Sequence, residues 1–169
     1  MFNGTAETGA SVLVSLVGSA GSVFSSTVVA TGGIWTIDRQ GSTLPDGTYT
    51  LTAVATDSAG NASTTTPTVV VDTTALVAIT TNAKSSDTTP VISGTSDLEP
   101  GRAVQVAING ATYMVTTDVE GNWSVDTGTA VPSSGSWAAL QNGQTYTITV
   151  TGTDLAGNLA TASKSLVVD

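Results

Sequence analysis

Cysteine and histidine are both missing from these 169 residues. Without them there is no disulfide, no thiolate or imidazole zinc site, no haem or iron–sulfur ligation, and no Ser–His–Asp or Cys–His nucleophile. Base is scarce too: Lys and Arg number 4 against 13 Asp and Glu, a net charge of −9 with a pI near 4.1. A protein that binds nucleic acid by neutralising phosphates needs the opposite balance, so no nucleic-acid partner is expected. No apolar run approaches the ~18 residues of a membrane-crossing helix, and membrane insertion is not expected. No secretory leader is recognisable, so an exported source would make this an internal fragment. What remains open is a binding, spacing or carboxylate-and-cation protein.

What is abundant points to β-structure. Thr, Ser and Gly number 32, 19 and 18, together 69 of 169 residues. Such a composition could stay unfolded, but 40% of the residues are hydrophobic, and Val, Ile and Ala fall largely at alternate positions. Tyr146, Ile148 and Val150 alternate with Thr145, Thr147, Thr149 and Thr151. That period of two fits a pleated sheet with one buried face. No segment shows a comparable helical period, and the chain is expected to be all-β.

The sequence repeats itself. Asn3-Gly4-Thr5 and Glu7-Thr8-Gly9 are echoed by Ser93-Gly94-Thr95 and Glu99-Pro100-Gly101. Gly33-Ile34-Trp35 returns as Gly121-Asn122-Trp123, Gly47-Thr48-Tyr49-Thr50 as Gln144-Thr145-Tyr146-Thr147, and Asp57-Ser58-Ala59-Gly60-Asn61 as Asp154-Leu155-Ala156-Gly157-Asn158. Each copy closes on Val-Val-Asp, at Asp72 and Asp169, which sets domains at 1–72 and 73–169. Trp35 to Trp123 is 88 residues but Asp57 to Asp154 is 97, so the second copy carries nine extra residues, within 127–141. Phe2 aligns with Ile92, and the first copy is therefore expected to lack its opening strand. Either the fragment was cut inside a domain or a neighbouring molecule supplies that strand.

Taken together, Gly-Thr, Glu-Pro-Gly, Gly-Asn-Trp, Tyr-Thr-x-Thr and Thr-Asp-x-Ala-Gly-Asn resemble the bacterial immunoglobulin-like repeats of large surface adhesins, of the biofilm-associated and RTX type. The resemblance covers nearly all of residues 3–169. It implies β-sandwiches, a secreted or cell-surface location, adjacent repeats of the same chain as partners, and calcium at the joints between domains. Thr8 departs from it where the family usually has Pro. The second copy departs through two residues inserted before Glu99 and the long loop after Asp126.

In the second copy, strands are expected at 77–80, 90–95, 103–108, 112–116, 122–126, 145–153 and 161–168. Asn109-Gly110 is a strong hairpin signal between the third and fourth. Seven short strands suggest a Greek-key sandwich of immunoglobulin type. If consecutive strands alternate in direction, the loops bearing Asp97 and Glu99, Asp118 and Glu120, and Asp154 gather at one pole with Asp72. Carboxylates crowded there would repel one another without a cation, and calcium accepts six to eight oxygens at flexible geometry. The expected ligands are Asp72, Glu99 and Asp154, then Asp118 and Asp97. The resemblance supports the first three most directly, with Glu7 and Asp57 as a partial site in the first domain. The plainer alternative stands beside this: an Asp in a β-turn usually caps its own backbone, and both 154–158 and 118–121 could be ordinary turns.

Trp35 and Trp123 are expected in the cores, Trp137 over a sheet edge or on a contact surface, and Tyr49 and Tyr146 as tyrosine-corner residues. The outward threonines of 145–153 resemble an ice-binding array, but a solvated face of a good β-former explains them. The expectation for function is a monomeric, non-enzymatic spacer in an adhesin, its joint stiffened by calcium. The alternatives are a carbohydrate- or host-protein-binding module and an accessory domain of an extracellular polysaccharide hydrolase.

Overall fold

The structure is a computed structural model that describes every residue except Gln40 and Ser42. Its described residues are all β, in two compact units, Met1–Asp72 and Thr73–Asp169.

The first unit has strands β1 (Phe2–Thr5), β2 (Ser11–Gly18), β3 (Gly21–Val29), β4 (Ile34–Ile37), β5 (Gly47–Thr56), β6 (Ala62–Thr65) and β7 (Thr68–Val71). Among the described residues β1 pairs with β4 alone, while the larger sheet runs β3-β2-β5-β6 with β7 also on β5. β2 shows how the sequence makes a sheet. Val12, Val14 and Leu16 are fully buried, and Ser11, Leu13 and Ser15 alternate outward. Burying each such apolar side chain contributes about 1.5–3 kcal/mol. Trp35 and Ile37 of β4 close over them from the smaller sheet.

The second unit has β8 (Val77–Ile79), β9 (Lys84–Ser85), β10 (Val91–Ser96), β11 (Ala103–Ile108), β12 (Ala111–Thr116), β13 (Asn122–Asp126), β14 (Ser134–Gly135), β15 (Thr145–Thr153) and β16 (Leu159–Val168). One sheet runs β13-β10-β8 and the other β14-β12-β11-β15-β16-β9. The expected seven strands are present within two residues at each end. β9 and β14 are additions. β9 lies parallel to β16, because the chain crosses between sheets after β8. β14 extends the β12 edge from inside the nine-residue insertion. Asn109 and Gly110, at φ 48° and 78°, make the tight turn that joins β11 to β12.

The aromatics fall into structural roles. Trp35 and Trp123 are buried. The Tyr49 hydroxyl donates to Pro45 O at 2.8 Å, a tyrosine corner, whereas the Tyr146 hydroxyl accepts from Gln141 N at 2.9 Å. Trp137 packs partly buried on the second core and meets Tyr113 edge-on at 6.2 Å. Tyr113 is 1% exposed and its hydroxyl has no hydrogen-bond partner among the described residues, while burial raises its pKa above the ordinary 10.0. An unmet buried hydroxyl costs about 1–3 kcal/mol. Tyr113→Phe should therefore hold or raise the stability of the second unit in chemical denaturation. A loss beyond 1 kcal/mol or so would show that the hydroxyl has a partner after all.

Candidate functional site

The acids singled out by the sequence lie mainly on turns, and three turns share one design. Asp57, Asp118 and Asp154 each begin Asp-x-x-Gly-Asn, and in each the Asp N–H donates to the carbonyl of the Asn four residues on, at 2.9–3.1 Å. One carboxylate oxygen accepts the Asn backbone N–H at 2.7–2.8 Å, and the other accepts its Nδ2 at 2.7–3.0 Å. A Gly with φ between 80° and 96° stands fourth in every case, where the chain must turn left-handed. The carboxylate thus acts as a staple that holds the loop closed. The common Asp-x-x-Gly-Asn spacing is visible in the sequence at all three positions.

All three carboxyls are held below their ordinary 3.8. For Asp57 and Asp118 the Asn side-chain hydrogen bond is the main cause, followed by the Asn backbone N–H. For Asp154 burial pushes upward most strongly. The Asn158 side chain and the N–H groups of Asn158, Gly157 and Ala156 together outweigh it. A depressed carboxyl stabilises the fold above the unfolded pKa and loses that effect as pH falls through the folded one. Stability should therefore fall as pH drops below 3.8. Replacing Asp57, Asp118 and Asp154 by Asn should flatten that fall in acid denaturation; an unchanged profile would mean that the staples do not govern it.

Asp154 is the most enclosed of the three, at 3% exposure. The neighbouring loop explains this. Glu99 Oε2 accepts Leu155 N at 3.0 Å, and Arg102 donates through Nε to Thr153 O at 2.9 Å and through Nη2 to Asp154 O at 2.6 Å. Arg102 is spent on two carbonyls. Its flat guanidinium reaches both at once, which a Lys could not do. Thr117, just before the Asp118 turn, is tied to the same loop: its Oγ1 donates to Glu99 O at 2.7 Å, and Gly101 N donates to Thr117 O at 2.8 Å. Asp97 Oδ1 accepts Leu76 N at 2.7 Å, anchoring the start of β8. The loops carrying Asp97 and Glu99, Asp118, and Asp154 do meet at one pole of the second unit.

Meeting is not enclosing. No group of three or more acids among the described residues stands close enough to hold a metal ion. Asp97, Glu99, Asp118 and Asp154 each accept a hydrogen bond from a nearby backbone N–H. Asp72 lies half-buried at the end of the first unit. In that unit Glu7 is exposed, and its carbonyl accepts Ala10 N at 3.0 Å, as Glu99 O accepts Arg102 N at 3.2 Å. The Asp118 turn has no equivalent there: Thr31 and Ile34 close a tighter turn over Gly32 and Gly33, at φ 62° and 83°.

Solved structures similar to the chain include the tetra-tandem repeat in the extending region of a large adhesion protein, at 20% identity and TM-score 0.44, covering 99% of this chain and 44% of that one. Another is a 1.5-MDa bacterial ice-binding adhesin, at 26% and 0.34, covering 99% and 56%. A third is a Ca²⁺-stabilized, ice-binding adhesin of an Antarctic bacterium, at 26% and 0.32, covering 99% and 43%. The chain spans about half the length of these structures. No curated protein matches it. The family model described as bacterial Ig-like domain matches residues 1–73 and again 78–169. With nearly the whole chain accounted for by these matches, it belongs to the bacterial Ig-like domain family, in two consecutive copies.

Proposed function

We propose that the chain is a pair of spacer modules from a secreted bacterial surface adhesin. The observation that carries this is where the chain enters and leaves the second unit. It enters beside the acid-loop pole, where Leu76 bonds to Asp97, and β16 leads from the 154–158 turn to Val168 at the opposite end. A ten-residue strand at ~3.3 Å per residue makes each such module about 30 Å from end to end. Modules threaded through in this way add length when strung in series, and the tandem duplication supplies the series. The carboxylates of Asp57, Asp118 and Asp154 each close a turn.

Calcium at the joint belongs to the same proposal. Asp72, Glu99 and Asp154 would be its core ligands and Asp118 and Asp97 the next, with Glu7 and Asp57 in the corresponding position of the first domain. Three loops gathered at the pole where the chain enters support this, as does a net charge of −9. The spacing of the acids within one unit means that a linker acid and backbone carbonyls would have to complete the shell. Extracellular modules of this kind bind at ~10⁻⁴–10⁻³ M. At a hundredfold excess, calcium should raise stability by about 2.7 kcal/mol, and Asp72→Ala should remove most of the gain. Identical melting curves in chelator and in millimolar calcium would remove calcium from the proposal and leave the spacer standing.

A further inference from the structure

The first unit has an open edge with a groove beside it. β1 pairs with β4 on one side, and among the described residues no strand pairs with its other side. The corresponding strand of the second unit, β10, has β8 there, with Gly94 opposite Ile79, Thr95 opposite Ala78 and Ser96 opposite Val77. The two glycines show the difference. A Cβ on Gly94 would fall 1.9 Å from Ala78 O, whereas a Cβ on Gly4 would meet only the Trp35 ring, at 2.8 Å. Among the described residues, nothing stands where β8 would be.

The groove measures about 620 Å³ and has Trp35, Leu51, Ala53 and Ala55 on its apolar lining. In the second unit this position is filled. Val77 and Ile79 pack on the core, and Leu98 and Val77 lie against Gly152, the counterpart of Ala55. Leu98 sits in the two-residue insertion and has no counterpart in the first unit, which leaves the groove wider. The backbone is also ready to pair. Ala6 N donates to Gly33 O on the β4 side, so strand alternation turns the Thr5 N–H and carbonyl outward. On the equivalent side of β10, Ser93 O accepts Thr80 N and Asp97 N donates to Leu76 O.

We propose that this edge and groove bind an extended strand from an immunoglobulin-like domain outside this chain and its copies, added antiparallel to β1. The internal repeat defines its chemistry: β-branched apolar residues facing the groove with a small residue between, as in Val77-Ala78-Ile79. Charge narrows it further. Glu7 and Asp57 line the groove and disfavour an acidic strand, and residues 73–81 carry no charge. Main-chain pairing supplies affinity, and the alternate side chains supply selectivity.

The test is a titration of the isotope-labelled 169-residue chain with a synthetic peptide of residues 74–81, followed by NMR. Saturable shifts are expected at β1, Trp35 and Ala55, with the second unit's core unmoved. Replacing Ile79 by Asp in the peptide should weaken binding about tenfold or more, as should Thr5→Pro in the chain, which removes the outward N–H. Should Thr5→Pro unfold the first unit, the peptide variant carries the test alone. The proposal is overturned by an absence of shifts, by equal binding of the Ile79→Asp peptide, or by shifts centred on β10. It is equally overturned if the groove resonances move only with chain concentration, since a second copy of this chain would then be the occupant.

Discussion

Gly94→Ala should lower the melting temperature of the second unit by about 15 °C or more and leave the first unit's transition in place. Gly94 sits where β10 passes between its neighbours. One methyl group there would fall 1.9 Å from the Ala78 carbonyl and 2.1 Å from the Trp123 ring. The first obstacle is backbone fixed by strand pairing, and the second is a ring that is 2% exposed. Neither can retreat without opening the sheet or the core, and overpacking of this kind costs about 3 kcal/mol or more. The internal control is Gly4→Ala. There the methyl meets only the Trp35 ring, at 2.8 Å, and the ring borders an open groove into which it can shift. Its effect should be clearly smaller. Equal losses at the two glycines would mean that β8 yields, and that the edge of β10 is less firmly covered than the register implies.

Trp123→Ala carries the second large effect. The ring is buried among Ile92, Val104 and Ile148, and its Nε1 donates to Thr95 O at 3.3 Å. Removing it leaves a cavity that surrounding strands cannot collapse into, at a cost of about 3–5 kcal/mol. The matching change, Trp35→Ala, should fall at the lower end of that range. Trp35 is 6% exposed and already borders the groove, so water can enter the space it leaves. Fluorescence-detected denaturation of the two variants would compare them; a larger loss for Trp35→Ala would contradict the reading of the first unit as the more open one.

The second unit's strands were legible because their apolar residues alternate over five to nine positions and because glycine and asparagine mark the turns. β9 and β14 were not, since a two-residue strand has no period and exists only through what it pairs with. The missing partner of β1 was legible from the repeat alone, because Phe2 aligns with Ile92. The site was legible only in part. Strand alternation was enough to bring the loops of Glu99, Asp118 and Asp154 to one pole. It could not say where a carboxylate points. Asp118 and Asp154 turn inward onto the Asn four residues ahead, the turn-capping alternative that the sequence kept open. Glu99 reaches across to Leu155, 56 residues away, and Arg102 to the carbonyls beside it. Such long-range choices depend on loop shape, which no local pattern encodes.

Small-angle X-ray scattering of the 169-residue chain in chelator and in excess calcium tests the calcium-stiffened joint most directly. The account predicts a broad distribution of distances in chelator, a single extended particle in calcium, and an Asp72→Ala variant that stays broad in both. Superimposable profiles in the two conditions would contradict a joint stiffened by calcium.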